Sequence, residues 1–121
     1  MDFNKKELNS CKLISVEPYP KTFLKEIERS DFQLLTEKIQ HVDLDLFKDT
    51  DILFIDSSHV SKFNSDVNME IFQIIPKLKK GAYIHWHDIM IPNDYPEYWI
   101  KDGNKFWNEN YLVHAFMLFN E

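Results

Sequence analysis

The stretch DILFIDSSHVSKFNSDVNMEIFQIIPKLKKGAYIHWHD, residues 51–88, decides how this chain is built. It opens on a compact apolar run, Asp51 to Ile55, the pattern of a strand covered on both faces. Ile71, Ile74, Ile75 and Leu78 then recur at spacings of three and four, which predicts a helix from Asp66 to Leu78. Ser65 or Asp66 stands where a cap accepts free backbone N–H groups, and Glu70 follows in the first turns. Pro76 breaks or kinks the helix, and Lys79-Lys80-Gly81 suits its end. Ala82 to Trp86 is the next strand. Strands separated by helices in this way predict a parallel-dominated α/β sheet with right-handed crossovers.

Both strands run directly into chemistry. The first ends in Asp56-Ser57-Ser58-His59 and the second in His87-Asp88. Open α/β sheets build their sites in the crevice beyond the carboxyl ends of the strands. Two adjacent strands ending this way pool Asp56, His59, His87 and Asp88. Carboxylates with imidazoles suit a divalent cation or a proton transfer. Asp56 and Asp88 are the pair expected to converge, with His87 or His59 completing a facial set. His85 and His87 share one face of the strand with Trp86 opposite, and His85, lying deeper, reads as a satisfied core histidine.

Outward from this centre, Lys12 to Glu17 reads as a short strand closed by Pro18-Tyr19-Pro20. Lys21 to Arg29 reads as a helix with Phe23, Leu24 and Ile27 on one face, and Phe32 to Glu37 as a second strand. Asp43 to Phe47 is a short helical turn, Ile91 to Pro96 a proline-punctuated loop, and Asn104 to Asn120 an aromatic-rich terminal helix. Glu17 stands at a strand tip and reads first as a solvated carboxylate, and second as the acid that in a nucleotide-binding sheet accepts hydrogen bonds from ribose hydroxyls. Tyr95-Pro96-Glu97-Tyr98-Trp99 and Phe106-Trp107 read first as packing aromatics, and second as the lining of an acceptor pocket.

Bulk properties narrow the classes. At 121 residues the chain is expected to be one domain, residues 1–121, with enough length to bury a core. Ten Phe, five Tyr and three Trp argue against disorder. A net charge of −6 without a basic stripe argues against nucleic acid and anionic membranes as partners. No run approaches the ~18 apolar residues of a membrane span, and the polar start Met1-Asp2-Phe3-Asn4-Lys5-Lys6 carries no signal-peptide core. The single cysteine, Cys11, reads as an inert half-buried thiol and fits a reducing cytoplasm. The two glycines, Gly81 and Gly103, stand apart, so no Gly-rich phosphate loop is present.

Residues 51–99, with FWNENYLVHAFMLFN at 106–120 and VEPYP at 16–20, resemble class I S-adenosylmethionine-dependent methyltransferases of the small-molecule, methyltransferase-24-like group. The resemblance implies a Rossmann-like three-layer α/β sandwich and methyl transfer to a small-molecule acceptor. It implies that Glu17 holds the cofactor ribose, that His41 and Val42 lie near the adenine, and that Asp56 also borders the cofactor. In metal-dependent relatives the positions of Asp56, His87 and Asp88 ligate magnesium, with His87 in place of the usual carboxylate. His59, His87 and Asp88 are the candidate catalytic groups. The family's Gly-rich first strand would precede residue 1 and its last two strands would follow residue 121. The expectation is thus an internal slice with a shortened, mainly parallel sheet, whose bare edges favour a homo-oligomer. Two other readings stand beside it: a non-catalytic oligomerising remnant, and a small metal-dependent hydrolase built on Asp56, His59, His87 and Asp88.

Overall fold

A computed structural model describes residues 11–120, so the polar start at residues 1–6 lies outside the described residues. The chain divides into two units between Val42 and Asp43. In the first, strand β1 (Leu13–Val16) pairs in parallel with β2 (Phe32–Leu35), Leu13 opposite Phe32 and Val16 opposite Leu35. The Glu17 N–H carries the ladder one step further to the Leu35 carbonyl at 3.0 Å. Between the strands, α1 (Thr22–Lys25) is a single turn, shorter than the helix expected from Lys21 to Arg29. Phe23 and Ile27 are exposed, so its apolar face buries little, and a helix of this length is marginal without packing. Arg29 forks onto Asp31 at 2.8 and 2.7 Å ahead of β2. A 3-10 turn, Ile39–His41, leads to Val42, with His41 exposed. Cys11 is exposed rather than half-buried.

The second unit carries the strands of residues 51–88. Strand β3 (Ile52–Ile55) pairs in parallel with β4 (Tyr83–Trp86), Ile52 opposite Tyr83 and Ile55 opposite Trp86. Bonds from the Tyr83 N–H to the Asp51 carbonyl and from the His87 N–H to the Ile55 carbonyl extend this pairing at both ends. Asp56 and His87 therefore leave the sheet at the same level. One expectation fails here: β3 is not covered on both faces, because Ile52 and Phe54 point to the exposed side with Tyr83. His85 shares that side and stacks on Phe54 at 4.8 Å, so it is an exposed histidine and not a core one. The alternation of the two strands explains both corrections, since residues two apart share a face, and on β3 Leu53 and Ile55 turn inward, Leu53 half-buried and Ile55 fully buried.

After β3, α2 (Asp66–Met69) starts on Ser65, whose Oγ accepts the Asn68 N–H. The helix widens into a π turn over Glu70–Ile74 and tightens into a 3-10 turn over Ile75–Lys77 that contains Pro76. Val67, Ile71 and Ile74 form its buried stripe. Beyond β4, a loop leads to the short α3 (Glu97–Lys101), which sequence reading left inside an irregular stretch. The terminal helix α4 (Glu109–Phe119) begins five residues later than expected from Asn104, because residues 104–108 are irregular, with Asn104 in left-handed backbone at φ 51°. Phe47, Ile55, Val67, Ile71, Ile74, Tyr95 and Val113 are the buried apolar residues of this unit. The pattern of a mixed chain with short parallel sheets fits a shortened Rossmann-like α/β fold. Among the described residues no helix is long and apolar enough to cross a membrane.

Ile74 is 1% exposed at the centre of the α2 stripe. Ile74→Ala is expected to lower unfolding free energy by about 2–5 kcal/mol. Ser65→Ala removes the acceptor for the N–H groups of Asn68 and Lys62 and is expected to cost about 1 kcal/mol. Chemical denaturation of the two variants against the parent measures both values and their order.

Candidate active site

The parallel pairing of β3 with β4 delivers Asp56, His87 and Asp88 together at one end of the sheet, and His59 folds back over them. His59 Nε2 lies 3.4 Å from Asp56 Oδ1 and 3.9 Å from Asp88 Oδ2. His87 Nδ1 lies 3.6 Å from the same Asp56 oxygen and 3.2 Å from Asp88 Oδ1. All four residues expected at the strand ends are thus brought together, as two imidazoles interleaved with two carboxylates. His59 is buried, whereas Asp56 and His87 are half-exposed. His59 and Asp88 both adopt left-handed backbone, φ 57° and 56°. Outside glycine that conformation costs about 1 kcal/mol or more, so the surrounding contacts must impose it.

Those contacts come from two helices. Helix α2 holds the loop after β3: Asp66 accepts the Ser58 N–H at 2.8 Å and the Ser58 hydroxyl at 2.5 Å. Ser57 Oγ donates to Glu70 Oε2 at 3.0 Å. Helix α4 holds the rest. The His59 carbonyl accepts the backbone N–H groups of Asn108 and Glu109, at 3.0 and 3.2 Å. Asn108 pairs with the backbone of Ser61 through both ends of its amide. Glu109 Oε2 meets His59 Nδ1 at 2.8 Å, and Trp107 packs on the imidazole with ring centres 4.1 Å apart. Asn110 grips the loop after β4, accepting the Met90 N–H at 2.9 Å and donating to the Asn93 carbonyl at 3.1 Å.

Glu70, Asn108, Glu109 and Asn110 were not among the residues singled out from sequence. Glu70 reads in the sequence only as an acid in the first turns of the helix, and it is buried. A signal was present in both acids. Glu70 falls on the same helical stripe as Val67 and Ile74, and Glu109 on the stripe of Val113 and Phe116. An acid on an apolar stripe either ruins the core or has a buried partner there.

Tyr95, Trp99 and Trp107 pack as first read, Trp107 edge-on to both partners and Tyr95 stacked on Trp99, with Lys105 over both indoles at 4.4 Å, whereas Tyr98 and Phe106 are exposed. Among the described residues no three His, Cys, Asp or Glu side chains are grouped to hold a metal ion. Asp56, His87 and Asp88 approach one another as carboxylate–imidazole pairs, with His87 Nδ1 between the two carboxylates. Glu17, in the first unit, sits at the carboxyl end of β1 and accepts the Tyr19 N–H on Oε1 at 2.9 Å. A carboxylate anchored on a turn in this way has the acceptor chemistry that ribose hydroxyls need.

The methyltransferase-domain family methyltransferase-24 matches residues 4–89. No curated protein and no solved structure matches the chain significantly.

Burial pushes the Glu70 carboxyl up to about 8, against the Ser57 hydroxyl that lowers it, while Asp66 and Glu109 add to the rise. Burial likewise raises Glu109, opposed chiefly by its bond to His59. Between pH 4.5, the ordinary value for Glu70, and about 8, the unfolded chain releases this proton while the folded chain keeps it. Folding stability contributed by Glu70 is therefore fully present below pH 4.5 and declines until about pH 8. Glu70→Gln retains an acceptor for Ser57 without a charge. It is expected to flatten this decline, gaining on the order of 3–5 kcal/mol over the parent at alkaline pH and little in acid. Urea titrations of both proteins across that pH range check the sign and the size.

Proposed function

Because the chain belongs to the class I S-adenosylmethionine-dependent methyltransferase domains, we propose that its strand-end cluster is the acceptor side of a small-molecule methyl transfer site. The observation that carries this reading is the convergence of Asp56, His59, His87 and Asp88 within 3.2–3.9 Å at the carboxyl ends of a parallel strand pair. Ligands in open α/β folds bind at that end. The finer architecture that goes with the reading is the three-layer Rossmann-like sandwich.

Glu17 would hold the ribose of S-adenosylmethionine, and His41 and Val42 would border its adenine. When bound, the sulfonium supplies a methyl carbon that an acceptor oxygen or nitrogen attacks in line, the carbon–sulfur bond breaking with its electron pair left on sulfur. The protein supplies orientation and proton transfer. His59, buried and held at Nδ1, presents Nε2 to the cluster and takes the acceptor's proton as general base. His87, half-exposed between Asp56 and Asp88, is placed to pass that proton to solvent. The two aspartates orient the acceptor's hydroxyl or amine by accepting its hydrogen bonds and favour the transient positive charge on the imidazoles.

Calorimetric titration with S-adenosylmethionine is expected to show saturable binding that Glu17→Ala weakens about tenfold or more. A protein that folds yet gives no binding heat or thermal shift with the cofactor overturns the reading. With an acceptor found by following release of the demethylated cofactor, His59→Asn is expected to lower kcat/KM by about 10²–10⁴-fold.

A further inference from the structure

Helix α4 treats His59 differently from every other residue it touches. The backbone bonds from Asn108 and Glu109 to the His59 carbonyl already fix the position of the loop. Trp107 already fills the space beside the ring. The carboxylate of Glu109 adds a third hold, on Nδ1 alone, from a side chain that is 0% exposed. Its other oxygen, Oε1, is buried with no hydrogen-bond partner among the described residues. A buried oxygen left without a partner costs about 1–3 kcal/mol, as much as or more than a hydrogen bond returns.

As a structural tie, this is a poor choice. A glutamine of the same shape would bond Nδ1 with less desolvation. What an amide cannot do is choose: it offers both a donor and an acceptor, and so suits either neutral form of the ring. A carboxylate only accepts, and therefore selects the form with the proton on Nδ1. Asp56 and Asp88 face the other nitrogen, Nε2, at 3.4 and 3.9 Å, beyond a good hydrogen bond, whereas Glu109 bonds Nδ1 at 2.8 Å, so Nε2 is the bare nitrogen.

We propose that Glu109 is the positioning residue of the site, holding His59 in its Nδ1–H tautomer so that Nε2 is the proton acceptor at the strand ends. The assignment rests on the reading of His59 as the base. Glu109 itself touches no reacting atom. As Nε2 takes a proton from an acceptor hydroxyl or amine, the ring becomes an imidazolium bonded to Glu109 through Nδ1–H. The carboxylate then offsets the positive charge inside the protein, which an amide would not.

Long-range proton–nitrogen NMR of protein labelled with ¹⁵N-histidine, at one pH and without cofactor or acceptor, reads the tautomer directly. His59→Asn assigns the His59 signals. The parent is expected to show a protonated Nδ1 and a bare Nε2. In Glu109→Gln the two nitrogen shifts are expected to converge, as the ring samples both forms, with the far-ultraviolet circular dichroism unchanged. A ring protonated on Nε2 in the parent overturns the proposal, since Glu109 would then be donating its own proton. An unchanged tautomer in Glu109→Gln overturns it as well, because the bond would be a tie and nothing more. If Glu109→Gln does not fold, Glu109→Met, which has a similar length and no carboxylate, is expected to give the same convergence, and retention of the parent spectrum counts against the proposal. The readout needs no methyl transfer, so a failed cofactor titration and a failed tautomer assignment are separate results.

Discussion

Three consecutive residues at the start of the terminal helix hold the site together. Asn108 bonds the backbone of Ser61, Glu109 bonds the ring of His59, and Asn110 bonds the loop from Met90 to Asn93. The loops after β3 and β4 thus share one partner, and their relative position is set by the geometry of one helical turn. That turn is anchored in turn by the core. Val113 lies one turn further along the helix and is 1% exposed, and the buried Tyr95 accepts the Asn110 N–H on its hydroxyl. A shift of α4 would move His59 and the loop beyond Asp88 together, so packing against the helix translates directly into alignment of the imidazole with the carboxylates.

Behind the two half-exposed imidazole–carboxylate pairs stand two buried acids, Glu70 and Glu109, one from each helix that grips the loop after β3. Their charged forms are costly where they lie, and burial holds both carboxyls above the ordinary glutamate range. The arrangement is not one that maximises stability. It places Glu109 2.8 Å from the His59 imidazole and Glu70 on the Ser57 hydroxyl in the same loop. Functional regions often carry such locally unfavourable electrostatics, with a core elsewhere that compensates.

The parallel pair and its chemistry were legible in sequence because they rest on local signals. A short apolar run, a turn and an Asp–His cluster lie within a few residues of one another, twice, and parallel pairing does the rest. The Ser65 cap and the break at Pro76 were legible for the same reason. What sequence reading misplaced was burial. Ile52, Phe54 and His85 were read as core because an apolar run does not say which of its alternating faces is covered. The helix expected from Lys21 to Arg29 shortened to one turn because periodicity promises a face, not a partner for it. Glu109 escaped notice because its partner is fifty residues away in sequence. Only the fold brings an acid on one helix to an imidazole on a distant loop, and neither residue's neighbours hint at the other.

The left-handed backbone of Asp88 sets stability and chemistry at odds within one residue. Glycine there would relieve about 1 kcal/mol of strain and would delete the carboxylate that pairs with His87. Directed evolution for heat tolerance alone would therefore drift toward glycine at this position and empty the site while improving the scaffold. Aspartate and glycine at position 88 mark the two ends of a trade-off between keeping a carboxylate at the strand end and relaxing the backbone beneath it.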